Sequence, residues 1–144
     1  MTYNEYLLEV RAGIDLDRPP RIAFDSVVAP YLVSQWFADR AKVAAHRGGN
    51  YEITRRDGTA TGRILDLVPN RRVLISWDPV QASHIVVPGS ELEFFVEPAP
   101  DGSRIHAVWW KIPTAQTEAL TADLTQRLER LREAVRRLPL LPGE

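Results

Sequence analysis

Three histidines, His46, His84 and His106, are the side chains of this 144-residue sequence that can titrate near neutrality or offer nitrogen to a transition metal. No two of them stand at helical ligand spacing and no His-Glu-x-x-His occurs, so neither a metal site nor any other cofactor is expected. There is no cysteine, which excludes thiol catalysis, thiolate zinc sites, iron–sulfur clusters and disulfides. His106 shares the outward phase of a strand with Arg104, a solvated position, and His46 has no evident partner. His84 lies in an irregular stretch where a loop over a pocket could bring it against a ligand. Gly48-Gly49 is no phosphate loop, because no Lys-Ser/Thr follows and the next element reads as a strand.

Among the carboxylates Asp66 is the one with chemical potential, and its orientation depends on two hairpins. The first, around Asp57-Gly58, reads as a type I′ turn that pairs Arg56 with Thr59, Ile53 with Gly62 and Tyr51 with Ile64, sending Asp66 inward. The second, through Pro69-Asn70-Arg71-Arg72, pairs Leu67 with Val73 and Leu65 with Ile75, sending Asp66 outward. Both registers require a bulge between them. Inward, Asp66 would be a carboxylate of raised pKa and an acid or base near Ser76 or Thr54; the cost of an unpaired buried carboxylate favours the outward or rim orientation. His84, Asp66 and Ser76 are therefore the catalytic candidates.

Large apolar side chains form a second pattern. Trp36, Tyr51, Trp77, Phe94 and Trp109 fall on inward phases, together with Ile53, Ile75, Leu92, Ile105 and Ala107. Such a wall suits an apolar or aromatic ligand as well as a filled core. Trp110 and Phe95 fall on the opposite phase, where they would offer a homodimer or partner surface.

The elements that must position these residues follow from periodicity. Tyr6 to Leu16 reads as a strand interrupted near Gly13, and two short helices follow over Arg21 to Val28 and Tyr31 to Phe37, after Pro20 and Pro30. Strands then run from Asn50 to Trp77. In Glu91 to Glu97, Leu92, Phe94 and Val96 share one face; pairing Val96 with Ile105 aligns Phe94 with Ala107, Leu92 with Trp109, and Glu97 with Arg104 outside. The chain closes with a helix from Ala115 to Leu138 carrying Leu120, Leu124, Leu128, Leu131, Val135 and Leu138 on one stripe, capped by Thr114 or Thr117. Its arginines are interrupted by Glu129 and Glu133, and a Glu133–Arg137 pair one turn on marks a solvated face rather than a nucleic-acid stripe.

The expected fold class is therefore α+β: a curved antiparallel sheet of about six strands around a long C-terminal helix, in one domain over 1–144. A net charge of −1 gives no global field for nucleic acid. No apolar run approaches the roughly 18 residues of a membrane span, so no membrane insertion is expected. The polar start Met1-Thr2-Tyr3-Asn4-Glu5 lacks secretory-signal character, making the cytoplasm the expected compartment.

Pro20-Arg21-Ile22-Ala23-Phe24-Asp25-Ser26-Val27, Pro30 and Leu32 through Trp36-Phe37 resemble a segment of the SRPBCC (START-like, Bet v 1-like) helix-grip superfamily, and specifically of its activator of Hsp90 ATPase homologue-like subgroup. The resemblance continues through Gly48-Gly49-Asn50-Tyr51, Gly62 to Pro69, Arg72 to Trp77, Val96-Glu97-Pro98, Asp101-Gly102-Ser103-Arg104 and the final helix. Ala23, Ala29 and Ser103 depart from its usual residues. It implies a pocket between sheet and helix for a small apolar molecule of the lipid, polyketide or aromatic class. The lining would be Trp36, Tyr51, Ile53, Ile75, Trp77, Leu92, Phe94, Ile105, Ala107, Trp109, Leu120 and Leu124. A polyketide cyclase or aromatase-like enzyme and a protein-interaction module of the Hsp90-activator type are the alternatives that it implies.

Overall fold

The computed structural model describes residues 7–139. The chain runs β1 (Leu7–Leu16), α1 (Pro20–Val28), α2 (Pro30–Trp36), β2 (Arg40–Val43), β3 (Asn50–Arg55), β4 (Gly58–Val68), β5 (Arg72–Trp77), β6 (Glu91–Ala99), β7 (Gly102–Pro113), a 3₁₀ turn (Thr114–Gln116) and α3 (Thr117–Arg136). All sheet pairs are antiparallel, in the order β1-β7-β6-β5-β4-β3-β2. The two short helices carry the chain from one edge of this sheet to the other.

The α+β class stands, with corrections of detail. The sheet has seven strands rather than six. The extra one, β2, is a four-residue edge strand of alternating exposed and half-buried residues, too short and too polar to stand out in the sequence. β1 is continuous through Gly13, with its irregularity between Leu8 and Val10, while Tyr6 lies outside the described residues. No side chain caps α3: Thr117 Oγ1 instead donates to the Thr114 carbonyl oxygen at 2.9 Å. Glu133 pairs with Arg136 rather than Arg137, and Arg132 with Glu129, which solvates that face of the helix. Among the described residues no helix is long and apolar enough to cross a membrane.

Register decides which side chains meet. The β6–β7 hairpin is paired as its alternation dictates, with Val96 opposite Ile105 and Glu97 opposite Arg104. Arg104, however, ion-pairs with Asp15 of β1 at 2.8 Å, because β1 flanks β7 on its other side. The β3–β4 turn is displaced by one residue: Arg55 pairs with Gly58, leaving Arg56-Asp57 as the loop. Neither loop residue has positive φ, so this is not a type I′ turn; Gly58 instead starts β4 at φ 151°, where a Cβ would lie 2.3 Å from that of Ser83.

Neither register expected around Asp66 holds in full: Tyr51 pairs with Gly62 rather than Ile64, and Ile75 with Ile64 rather than Leu65, but the face that each hairpin assigns is kept because a bulge separates them. Ile64 pairs with Ile75 and Leu67 with Val73, with the extra residue between Ile64 and Asp66. Leu65 is exposed, Ile64 is buried on the concave side, and Asp66 lies outside. The inward orientation of Asp66 is thereby excluded.

The concave face and the helices bury a continuous apolar core in which Trp36, Tyr51, Trp77, Phe94 and Trp109 are at most 2% exposed. Trp36 stacks on Phe37 at 4.8 Å and meets Phe94 edge-on at 5.9 Å; Trp77 meets Tyr51 at 5.8 Å and Phe37 at 6.3 Å. Gly62 lets the Trp77 ring lie on the neighbouring strand, since a Cβ there would be 2.9 Å from Trp77 Cε3. Polar tips in this interior are tied to backbone: Trp36 Nε1 donates to the Ser26 carbonyl at 2.6 Å and Tyr51 Oη to that of Val27 at 2.8 Å. Burial accordingly pushes the Tyr51 phenol well above its ordinary pKa.

Candidate functional site: the mouth of the helix grip

Helix α3 closes over the sheet unevenly. It packs against β1, α2 and α1, and its buried residues Leu124, Leu128, Leu131, Ala134 and Val135 all lie in its C-terminal two-thirds. In its first two turns no residue is buried; Leu120 is half-buried and Ala119 is exposed. The amphipathic stripe thus outruns the surface it covers, leaving a groove of about 450 Å³ lined by Ala115, Ala119, Leu120, Ile85, His84 and the charged side chains Arg55, Asp57, Asp123 and Arg127. That volume falls in the range of small-molecule sites.

The opposite wall comes from the irregular segment between β5 and β6. It is strapped to β4 by Thr61 Oγ1 donating to Asp78 at 2.9 Å, by Gln81 Nε2 donating to the Thr61 carbonyl at 2.7 Å, and by Ser83 Oγ donating to the Thr59 carbonyl at 2.8 Å. These anchors turn Ile85, Val86 and Val87 inward as buried residues and leave His84 exposed at the rim. Ser90 ends the segment, its hydroxyl accepting from Trp109 Nε1 at 2.8 Å and donating to the Val87 carbonyl at 2.6 Å.

Two guanidiniums stand at the back of the groove. Arg55 occupies the inward phase of β3 that begins with Tyr51 and Ile53. Its Nε donates to the Phe37 carbonyl at 3.0 Å and its Nη1 to that of Ile85 at 3.3 Å, with its Cζ 5.2 Å from the Phe37 ring centroid. Arg127 lies on the apolar side of α3, between Leu124 and Leu131, and its Nη1 donates to the same Phe37 carbonyl at 3.2 Å while its Nε pairs with Asp123. The C-terminal carbonyl of α2 therefore holds two cations side by side. Arg55 Nη2 is buried with no hydrogen-bond partner among the described residues, as is Trp77 Nε1 in the adjoining aromatic cluster. Desolvation, reinforced by Arg127, pushes the Arg55 pKa down to about 10.

The other sequence candidates are dispersed. Asp66 is on the convex face, where Arg47 and Arg72 donate to its two oxygens, each at 2.5 Å, and hold its carboxyl below the usual range. Ser76 faces the same outer side, opposite Glu91 and Arg63. Neither approaches His84 across the thickness of the sheet, so the three catalytic candidates do not converge. Among the residues read as lining, Leu120 borders the groove, Trp36 borders a smaller polar depression of about 280 Å³ shared with Arg55 and Arg127, and the concave-face residues are buried in the core.

Trp110 and Phe95 point outward as expected but are half-buried. Trp110 Nε1 donates to Glu93 Oε1 at 2.9 Å, Arg11 lies over its ring at 5.8 Å, and Phe95 pairs across the ladder with His106. Together with Leu7, Leu8, Leu74, Arg72 and Lys111, Trp110 lines an outer groove of about 560 Å³. Arg55 stands out in no sequence motif, and Arg127 reads there as one of the arginines of a solvated helix face. The available signal was a cation on an apolar phase in each case: Arg55 at the alternating position after Tyr51 and Ile53, and Arg127 on the helix stripe.

Several solved structures share this architecture at identities that carry the fold alone. The protein MLL2253 from Mesorhizobium loti superposes with a TM-score of 0.80 at 18% identity over 92% of this chain and 100% of its own. The Aha1 dimer from Colwellia psychrerythraea gives 0.76 at 14% over 89% and 96%. CalU16 from Micromonospora echinospora gives 0.69 at 19% over 94% and 88%. No curated protein matches the sequence. The family model for activator of Hsp90 ATPase homolog 1-like proteins matches residues 17–136, from the turn before α1 to the end of α3, and the chain belongs to that family.

Proposed function

We propose that this chain binds a small hydrophobic molecule, of the lipid, polyketide or aromatic metabolite class, between the sheet and α3, with entry at the N-terminal end of that helix. One observation carries the reading: the first two turns of α3 bury no residue, and there Ala119 and Leu120, the latter only partly packed against the core, border a groove of about 450 Å³. Such a surface would be closed by packing if it served stability alone, because burying a leucine side chain contributes roughly 1.5–3 kcal/mol. Membership of a helix-grip family supports it. The cyclase or aromatase alternative is left with one of its three residues, since Asp66 and Ser76 face the other side of the sheet.

The test is a titration with the uncharged probe decanol, followed by intrinsic tryptophan fluorescence. Saturable binding is expected, weakened about tenfold or more by Leu120→Glu, which would place a charge against the ligand body. Absence of saturation with the wild-type chain, or indifference to Leu120→Glu, overturns the reading.

A further inference from the structure

We infer that the mouth of the grip is built for an amphiphile with a carboxylate head group, received by Arg55 and Arg127 while its apolar body lies along Ala115, Ala119, Leu120 and Ile85; this rests on the binding site proposed above. Three features of the site lead there. The first is geometric: the Phe37 carbonyl accepts from both Arg55 Nε and Arg127 Nη1, at 3.0 and 3.2 Å, which sets two planar guanidiniums next to each other in a groove whose apolar wall is Ala115, Ala119, Leu120 and Ile85. Paired guanidiniums match the two oxygens of a carboxylate better than ammonium groups do, because their donors lie in a fixed fork.

The second feature is an unmet donor. Arg55 Nη2 is buried and has no acceptor among the described residues, although Nε and Nη1 of the same side chain are both satisfied by backbone. A buried donor of a charged group without a partner is costly; Nη2 has almost no open surface, so an anion recovers that cost once the Arg55 head group turns toward the groove. The third feature is charge balance. Arg127 and Arg130 both repel Arg55, and Asp57 and Asp123 both attract it, so three guanidiniums are gathered against two carboxylates. One monoanion neutralises the cluster. Desolvation and this repulsion push the Arg55 pKa down to about 10, which leaves the guanidinium charged at neutral pH.

The apolar body follows from where the pair opens. On one side it borders the polar depression of about 280 Å³ lined by Ser34, Gln35, Asp39 and Arg56; on the other it borders the groove carrying Leu120, Ala119 and Ile85. A small inorganic anion would use the charge and leave the apolar wall unused, whereas a neutral lipid would cover the wall and leave Nη2 unmet. A carboxylate amphiphile uses both.

The experiment is calorimetric titration of the full chain with decanoate, decanol and acetate at neutral pH, on wild type, Arg55→Met and Arg127→Gln. The expected wild-type result is decanoate binding about tenfold or more tighter than decanol, with acetate far weaker than either. Arg55→Met is expected to bring the decanoate-to-decanol ratio close to one while decanol still binds, which shows that the fold and groove survive; Arg127→Gln is expected to lower the ratio less, since Arg127 shares its charge with Asp123. Equal wild-type affinity for decanoate and decanol, or a ratio unchanged in Arg55→Met, overturns the head-group inference and leaves the apolar site standing. If neither decanoate nor decanol binds, both are overturned.

Discussion

Arg72 on the outer face and Arg55 at the mouth are the same side chain in two grooves of similar size, and their surroundings are opposite. Arg72 donates to Asp66 and Glu93, each at 2.5 Å, so its charge is met by two carboxylates of the chain itself. Glu93 is in turn held by Trp110, and the outer groove is lined by an ion network closed on itself. Arg55 meets two backbone carbonyls and the face of Phe37, with a second guanidinium as its neighbour and one buried donor left over. A satisfied cation in a groove is part of the scaffold; an under-satisfied one beside an apolar wall has interaction capacity to offer a ligand.

That contrast is sharpest in the response to losing each arginine. Arg72→Ala strands the Glu93 carboxylate, whose side chain is only 8% exposed, and is expected to cost about 3 kcal/mol, the low end for breaking a buried pair because Trp110 keeps one hydrogen bond. Urea unfolding monitored by circular dichroism measures it, and a loss under about 1 kcal/mol would erase the distinction between the grooves. Arg55→Met should stay within about 1 kcal/mol of wild type in the same assay, since two carbonyl bonds are lost while a desolvated charge and an orphan donor are removed. A loss as large as that of Arg72→Ala would make Arg55 a structural residue rather than one poised for a ligand.

The smallest effect concerns acid. Asp66 has a carboxyl held below its ordinary value by hydrogen bonds from Arg47 and Arg72, so its contribution to stability is full above the unfolded value near 3.8 and is lost as pH falls through the folded value. In that window the unfolded chain binds more protons than the folded one, and stability rises with pH. Asp66→Asn should flatten this acid limb of the stability curve and leave the neutral region almost unchanged. An identical acid limb in both proteins would mean that the outer network carries no net charge stabilisation.

Much of the architecture is legible in the sequence because it is written in local periodicity. The alternation of Leu92, Phe94 and Val96 against Ile105, Ala107 and Trp109 allows one register that keeps both apolar sets on one face, and that register is present. The stripe from Leu120 to Val135 likewise defines α3, which is two residues shorter at each end than the expected Ala115 to Leu138, and Pro20 and Pro30 open the two short helices where their missing N–H groups cost nothing. Asp66 shows the limit of such local rules. Each flanking hairpin predicts an orientation for it, and only a bulge between Ile64 and Asp66 reconciles the two, at a position that no residue type in this stretch advertises.

The candidate site was less legible for a related reason. Leu120 and His84 could be placed near an opening from the stripe and the irregular segment, whereas Ser76 was set beside Asp66 as part of an inward acid–base pair that the sheet does not form.

By itself the sequence determined the antiparallel sheet, its aromatic concave face and the amphipathic helix across it, because period-2 and period-3.6 patterns express which face is apolar without reference to distant residues. Only the tertiary structure decided that α3 buries no residue over its first two turns, and that a carbonyl at the end of α2 draws Arg55 from a strand and Arg127 from a helix to one point. Long-range convergence of that kind depends on how elements pack, and packing angles and helix offsets leave no periodic trace in the chain.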